Sequence, residues 1–261
     1  MEGNRYFFSK NLLTRTASSI ILVTLALYLN YKGNYIFFAT IILINLILLI
    51  ELYGLFDIKT PNVNFFLNFF FGLTCFSCIF FAHYNFFFIA ILSGLILSFI
   101  FLPSKKLFAL IPYFYFNLPL SAFLYLNNSI DGKLFIYWSF LVVWSSDIAG
   151  YVFGQLLRGP KLYYSLSPNK TWTGCLSGLL FSGLSSVLYA YYLEYGEFLK
   201  YFFLGSLGAI FSVLGDLYES KLKRINNKKD TSALIPGHGG LLDRLDGFLF
   251  AILYFYVLSA I

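Results

Sequence analysis

The feature that most constrains this chain is a series of near-continuous apolar runs, each about 20 residues long, broken by short polar stretches. A helix of that length crosses the roughly 30 Å hydrocarbon core of a bilayer. Backbone N–H and C=O groups find no water there, so a spanning segment must be a helix or part of a closed barrel. Barrels need short strands of alternating character, and these runs do not alternate. Composition agrees: 59% of the 261 residues are hydrophobic and 11% are charged, where a soluble domain carries about 25% charged residues. Mean hydropathy is +0.75. The expected fold class is all-α, a polytopic integral membrane helical protein.

Nine spans are expected, at about 16–30, 35–56, 64–82, 85–102, 107–126, 134–156, 173–193, 198–217 and 241–260. The first follows Arg5, Lys10 and Arg15 in the manner of a signal peptide, but no small-residue cleavage site stands out after it, and it is read as retained. Placing the N-terminus in the cytoplasm puts fifteen of the 18 Lys and Arg residues inside, with only Lys32, Lys133 and Lys200 outside. Cytoplasmic loops carry the excess of basic residues, so this split sets the orientation. It also accounts for much of the net charge of +6 without nucleic acid as a partner. The organisation expected is a set of N-terminal membrane helices over 1–133, then a C-terminal region, 134–261, with two long polar cytoplasmic loops at 157–172 and 218–240.

The cysteines say little. Cys75 and Cys78 form a CxxC inside "FFFGLTCFSCIFFA", where they share one face of an apolar helix and read as buried small hydrophobes. Gly174 and Gly178, at GxxxG spacing, read as a close helix-packing stripe. The abundant Phe and Tyr residues read as lipid-facing filler.

Carboxylates are the anomaly. Asp147 lies inside the sixth span, Asp216 ends the eighth, Asp243 and Asp246 open the ninth, and Glu51 lies late in the second. A charge near the bilayer centre costs about 2.5–3.5 kcal/mol on insertion scales, so each should face protein or water and have a partner. Asp243 and Asp246, three apart, share a helical face. Two close carboxylates repel unless a cation offsets them. Arg244 is one candidate cation. A divalent metal is the other, with Asp216 as a third carboxylate, and all-oxygen ligands favour Mg²⁺ or Mn²⁺. Glu51 reads either as a functional group or as a carboxyl snorkelling to a Lys.

The adjoining loop supplies the counterpart. "PGHGG" brings Gly237, Gly239 and Gly240 to a helix N-terminus, a place that favours anions. Lys223, Arg224, Lys228 and Lys229 line the same loop, and Lys161 and Lys170 lie in the other. Basic residues facing metal-binding carboxylates make the apparatus for polyphosphate chemistry. His238 reads equally as a general base or as a hydrogen-bonding turn residue.

The stretch "SKLKRINNKKDTSALIPGHGGLLDRLD", Ser220 to Asp246, resembles the diagnostic segment of the phosphatidate cytidylyltransferases, also called CDP-diacylglycerol synthases. Ser220, Leu222, Lys223, Arg224, Lys229, Asp230, Pro236, His238, Gly239, Gly240, Asp243, Arg244 and Asp246 all fit the family pattern. In "SDIAGYVFGQLLRGPKLYYSLSPNKTWTG", Asp147, Tyr151, Gly154, Lys161, Ser167, Pro168, Lys170 and Thr171 fit a second one. Two positions depart: Gln155 stands where a basic residue is usual, and Tyr164 where Pro is common. The similarity covers about 138–250.

This resemblance implies that CTP and phosphatidic acid give CDP-diacylglycerol and pyrophosphate, with Mg²⁺ or Mn²⁺ as cofactor and 134–261 as the catalytic region. It implies Asp216, Asp243 and Asp246 as metal ligands. Asp243, Asp246, Lys170, Arg244 and Asp147 are then the catalytic set. Ser167, Lys161, Lys223, Arg224, Lys229, His238, Gly239 and Gly240 would bind the nucleotide. The expected partners are CTP, phosphatidic acid and membrane lipid, with a homodimer as a candidate assembly. The expected location is a bacterial plasma membrane, with the site facing the cytoplasm. Another CTP-dependent lipid kinase or nucleotidyltransferase is the alternative reading. A transporter would not need the glycine- and lysine-rich loop.

Overall fold

The computed structural model describes residues 18–60, 62–101, 110–235 and 239–261. The basic residues Arg5, Lys10, Arg15, Lys105 and Lys106 lie outside the described residues. The elements in chain order are α1 (18–32), α2 (Asn34–Leu55), α3 (Val63–Phe80), α4 (Tyr84–Phe101), a π-helical turn (Pro112–Asn117) leading into α5 (Leu118–Asn127), α6 (Ile130–Leu157), strands β1 (Lys161–Tyr163) and β2 (Ser167–Thr171), α7 (Trp172–Tyr192), α8 (Phe198–Ile225) and α9 (Leu242–Leu258). The chain is an all-α polytopic membrane protein with one small hairpin. Five of these helices, α2, α3, α6, α7 and α8, are long and apolar enough to cross a membrane by themselves, among the described residues. The others fall short of that length or of its described part, as with α9 at 17 residues.

Local chemistry explains where the helices start. Asn62 Oδ1 accepts from Phe65 N at 2.9 Å, Ser129 Oγ from Gly132 N at 3.1 Å, and Thr171 Oγ1 from Gly174 N at 3.1 Å. Each satisfies one of the amides that a helix leaves without an internal partner. Asp131 in the first turn of α6 complements the positive end of the helix dipole, and Lys223 and Arg224 in the last turn of α8 complement the negative end. Within α5, Pro119 has no N–H to give the carbonyl of Tyr115, and the backbone before it widens into the π-turn.

Two expectations change. The loop predicted from 218 is helical as far as Ile225, where Glu219 and Lys223 form an i,i+4 pair and Leu222 is buried. The loop predicted over 157–172 is largely an antiparallel hairpin, with Lys161 opposite Thr171 and Tyr163 opposite Ser167.

The chain folds as two compact units, one from Met1–Asn117 with Asn226–Arg244, the other from Leu118–Ile225 with Leu245–Ile261. In the second, small residues bring helices into close approach, which is how helices associate where lipid competes with every apolar contact. A Cβ on Gly174 would stand 2.6 Å from the Gly150 carbonyl, and one on Gly178 would stand 2.9 Å from Ser146 Oγ. The GxxxG stripe therefore packs α7 on α6, as its spacing predicts. Hydroxyls add hydrogen bonds across the same seam: Ser182 Oγ donates to Val142 O at 2.9 Å, and Trp138 Nε1 to Ser186 Oγ at 2.7 Å. The core of this unit centres on Trp138, Val142, Ala209 and Phe255. In the first unit, Tyr53, Leu48, Leu49 and Phe76 are fully buried, and Asn68 Nδ2 donates to Tyr53 OH at 3.0 Å. Cys75 is buried and unoxidised, as the apolar surroundings of the CxxC predict.

α6 and α8 are each 28 residues long. At 1.5 Å per residue that is about 42 Å, about 12 Å more than the hydrocarbon core. Their far ends must therefore reach the interface. α6, α7 and α8 follow one another as candidate spans, so the end of α6, the start of α7 and the end of α8 belong to one side of the membrane. Asp216 and Glu219 lie in the last turns of α8.

Candidate functional site

In the second unit the last turns of α8 present Asp216 and Glu219, one helical turn apart, and α9 presents Asp246. One carboxylate oxygen from each of the three lies within 4.8 Å of the others. Gly215 makes this approach possible: any Cβ there would run into the main-chain carbonyl of Asp246. Gly247 serves the same purpose from the other side, since a Cβ on it would come within 2.5 Å of Ser212 Oγ.

Cations stand beside two of the three acids. Lys170, at the end of β2, forms an ion pair with Asp216. Lys223 reaches back along α8 to Glu219 Oε2 at 2.5 Å, and Glu219 is fully buried. Ser220 Oγ donates to Asp216 Oδ1 at 3.4 Å, and Gly247 N donates to Asp246 Oδ1 at 2.9 Å. Asp147 of α6 and Lys170 both lie within electrostatic reach of Asp246. Arg224 Nε donates to Leu166 O at 3.2 Å and so ties the end of α8 to the hairpin turn.

The donor set suits a hard divalent cation: three carboxylates, with no His or Cys among them. Bonds of about 2.0–2.1 Å to Mg²⁺ allow opposed oxygens to be about 4.2 Å apart. A side-chain shift of less than about an ångström would bring all three oxygens from 4.8 Å onto one ion. Two ammoniums nearby temper the mutual repulsion of the acids.

Of the residues singled out from sequence, Asp147, Lys161, Ser167, Lys170, Asp216, Lys223, Arg224 and Asp246 belong to this unit. Asp216, Lys170, Lys223 and Asp246 are gathered at the acidic cluster. Lys161 is exposed in β1 and Ser167 half-buried in β2. Gln155 and Tyr164 are exposed. Glu219 was missed by sequence reasoning. Its signal was present in the i,i+3 spacing from Asp216 and the i,i+4 spacing to Lys223, but it counts only if α8 continues past the apolar run.

The remaining motif residues belong to the first unit. Asp243 Oδ2 accepts from Thr231 N at 2.9 Å, from Thr231 Oγ1 at 2.8 Å and from Gly240 N at 2.8 Å. This oxygen organises the loop, reaching back from the first turn of α9 in the way a capping box does. Gly239 takes φ of 84°, a left-handed backbone that favours glycine. Lys228 Nζ donates to Asp57 Oδ1 and to the Gly54 carbonyl, both at 2.7 Å, and so closes the C-terminus of α2. Lys229 and Arg244 are exposed. Pro236, Gly237 and His238 lie outside the described residues.

The chain is 39% identical over 123 residues to a phosphatidate cytidylyltransferase of Staphylococcus haemolyticus, covering 47% of this chain and 47% of that one. It is 43% identical over 122 residues to a phosphatidate cytidylyltransferase of Brucella suis, covering 47% and 45%. A third, from Rickettsia prowazekii, is 34% identical over 149 residues, covering 54% and 65%. The chain spans about half the length of the first two of these relatives in the matched stretches. A family profile described as "Cytidylyltransferase family" matches residues 13–261. With nearly its whole length in that match, the chain belongs to the cytidylyltransferase family.

Proposed function

We propose that the protein is a phosphatidate cytidylyltransferase: it transfers the cytidylyl group of CTP to phosphatidic acid, giving CDP-diacylglycerol and pyrophosphate. The observation that carries this reading is the cluster of Asp216, Glu219 and Asp246, with Lys170 and Lys223 paired to two of its members. Such a cluster at the ends of membrane helices suits a reaction between two polyanions, one dissolved in lipid and one in water.

The nucleophile is a lipid phosphate oxygen. With a second pKa near 6, a phosphomonoester is already largely dianionic at pH 7 and needs little help from a base. Attack on the α-phosphorus breaks its bond to the pyrophosphate, which leaves. Asp216, Glu219 and Asp246 would hold the divalent cation, Mg²⁺ or Mn²⁺. When bound, that cation neutralises the triphosphate and stabilises the leaving group. Lys170 and Lys223, paired with Asp216 and Glu219, would add positive charge for phosphate oxygens. Arg224, Lys161 and Ser167 extend the basic surface for the nucleotide. Lys229, His238, Gly239 and Gly240 keep the nucleotide-binding role that the resemblance implies. Asp243, expected among the ligands, instead organises the loop through Oδ2. Asp147 orients Lys170, and Arg244 offsets local negative charge.

Nine crossings with the N-terminus and the site on the cytoplasmic side of a bacterial plasma membrane complete the reading. The fifteen-to-three distribution of Lys and Arg supports this orientation. Phosphatidic acid would keep its acyl chains in lipid while CTP arrives from the cytoplasm.

The test is direct. Purified protein with phosphatidic acid, CTP labelled at the α-phosphate and Mg²⁺ should yield labelled lipid and pyrophosphate. Release of CDP, with the γ-phosphate moving to the lipid, would identify a lipid kinase and sink this proposal.

A further inference from the structure

Glu51, late in α2, carries a carboxylate that the acidic cluster does not use. Its side chain is only 4% exposed. Oε1 accepts from Ser232 Oγ at 2.7 Å and from Leu241 N at 2.8 Å, and Oε2 accepts from Leu242 N at 2.7 Å. Thr231 Oγ1 also lies 3.5 Å from Oε2. Its single hydrogen is better placed on Asp243 Oδ2, at 2.8 Å. All these residues belong to the first unit.

Leu242 opens α9 and Leu241 precedes it, so their amides are among those a helix leaves without internal acceptors. This amino end attracts an anion. From sequence it is a natural seat for a nucleotide phosphate. In the structure a side chain from the same chain already sits there. Gly240 completes the cradle: a Cβ at this position would run into Thr231 Oγ1 and come within 2.6 Å of Glu51 Oε1.

We infer that Glu51 is a positioning residue, a built-in anion that ties the amino end of α9 to Ser232 and closes the Leu241 and Leu242 amides to nucleotide phosphate. Recognition of the triphosphate then falls to the side-chain cations and the glycine loop, without these two amides. α9 carries Asp246 one turn beyond the anchored amides, so fraying of this first turn would loosen the helix that carries that acid. A carboxylate is required here. Gln would turn an NH₂ group towards hydrogen-bond donors, and Asp, one methylene shorter, would not span Ser232 and both amides. The inference rests on the cytidylyltransferase reading for its kinetic arm alone.

The experiment has two arms on the full-length protein. Amide hydrogen exchange of the wild type, with and without CTP and Mg²⁺, should show Leu241 and Leu242 exchanging slowly in both states. In Glu51→Gln they should exchange at least about tenfold faster. In the kinetic arm, Glu51→Gln should lower kcat at least about tenfold while KM for CTP stays within about threefold, because the lost interaction positions the site without touching nucleotide. Protection of Leu241 and Leu242 that appears only when CTP is added overturns the inference, as does a Glu51→Gln protein with wild-type exchange and kcat. If Glu51→Gln does not fold, the wild-type exchange comparison still decides. If the wild type makes no CDP-diacylglycerol, the functional reading fails and the exchange arm judges Glu51 independently.

Discussion

Asp246, Asp216 and Glu219 differ in what holds them, and so in what their loss should do. Asp246 takes a hydrogen bond from the Gly247 amide, while Asp216 and Glu219 are paired to lysines. Asp246→Asn keeps the volume and removes the charge. It should cut CDP-diacylglycerol formation at least about 100-fold, the order expected for an electrostatic group at the reacting centre. Membrane insertion should be unchanged, and near-wild-type turnover would remove Asp246 from the site. For Glu219→Gln, the Mg²⁺ concentration giving half-maximal activity should rise about tenfold to a hundredfold, a shift read by metal titration. No change in that midpoint would confine Glu219 to holding Lys223. Asp216 and Asp246 could be singled out from sequence because charge inside an apolar run is conspicuous. Glu219 lay hidden because the surrounding "YESKLKR" resembles an ordinary solvated loop. Glu51 could be noticed but not explained, since its hydrogen-bond partners lie 181 to 191 residues further on.

Hydropathy located the helices to within a few residues but failed where packing took over from composition. α8 runs on to Ile225 because Leu222 is buried and the Glu219–Lys223 pair supports the extra turns. A window that measures apolarity stops earlier. The hairpin was invisible for a different reason: strands of three and five residues, one containing Pro168, offer no alternating run to read. The Gly174–Gly178 stripe was legible because its physics is local to one helix face. It also gives a clean test. Gly178→Leu would force carbon against Ser146 Oγ and its carbonyl, at 2.9 and 3.1 Å from the first added atom alone. Overpacking of this kind costs about 1–3 kcal/mol, and reversible unfolding in detergent micelles should show a loss of that order. Leu188→Ala, on the exposed side of the same helix, should leave the midpoint nearly unchanged. Equal stability of the two variants would mean that α6 and α7 do not meet at this seam.

At the scale of the whole molecule, orientation is the property most open to test. Lys200 and Lys221 lie near opposite ends of α8, both exposed and 21 residues apart, about 32 Å along the helix. In a background lacking Cys75, Cys78 and Cys175, Lys200→Cys should react with an impermeant maleimide in intact cells. Lys221→Cys should react only after the membrane is opened. The reverse pattern would place the acidic cluster on the far side of the membrane from CTP. The arrangement also bears on biogenesis. Leu241 donates to Glu51 across 190 residues of sequence. At about 5–20 residues per second, a ribosome emits that length in about 10–40 s. During synthesis α2 must therefore wait without these hydrogen-bond partners until α9 emerges to supply them. Surveillance proteases that sense unassembled membrane segments would find their opening in that interval, and a nascent chain stalled before the last helix should be the form they clear.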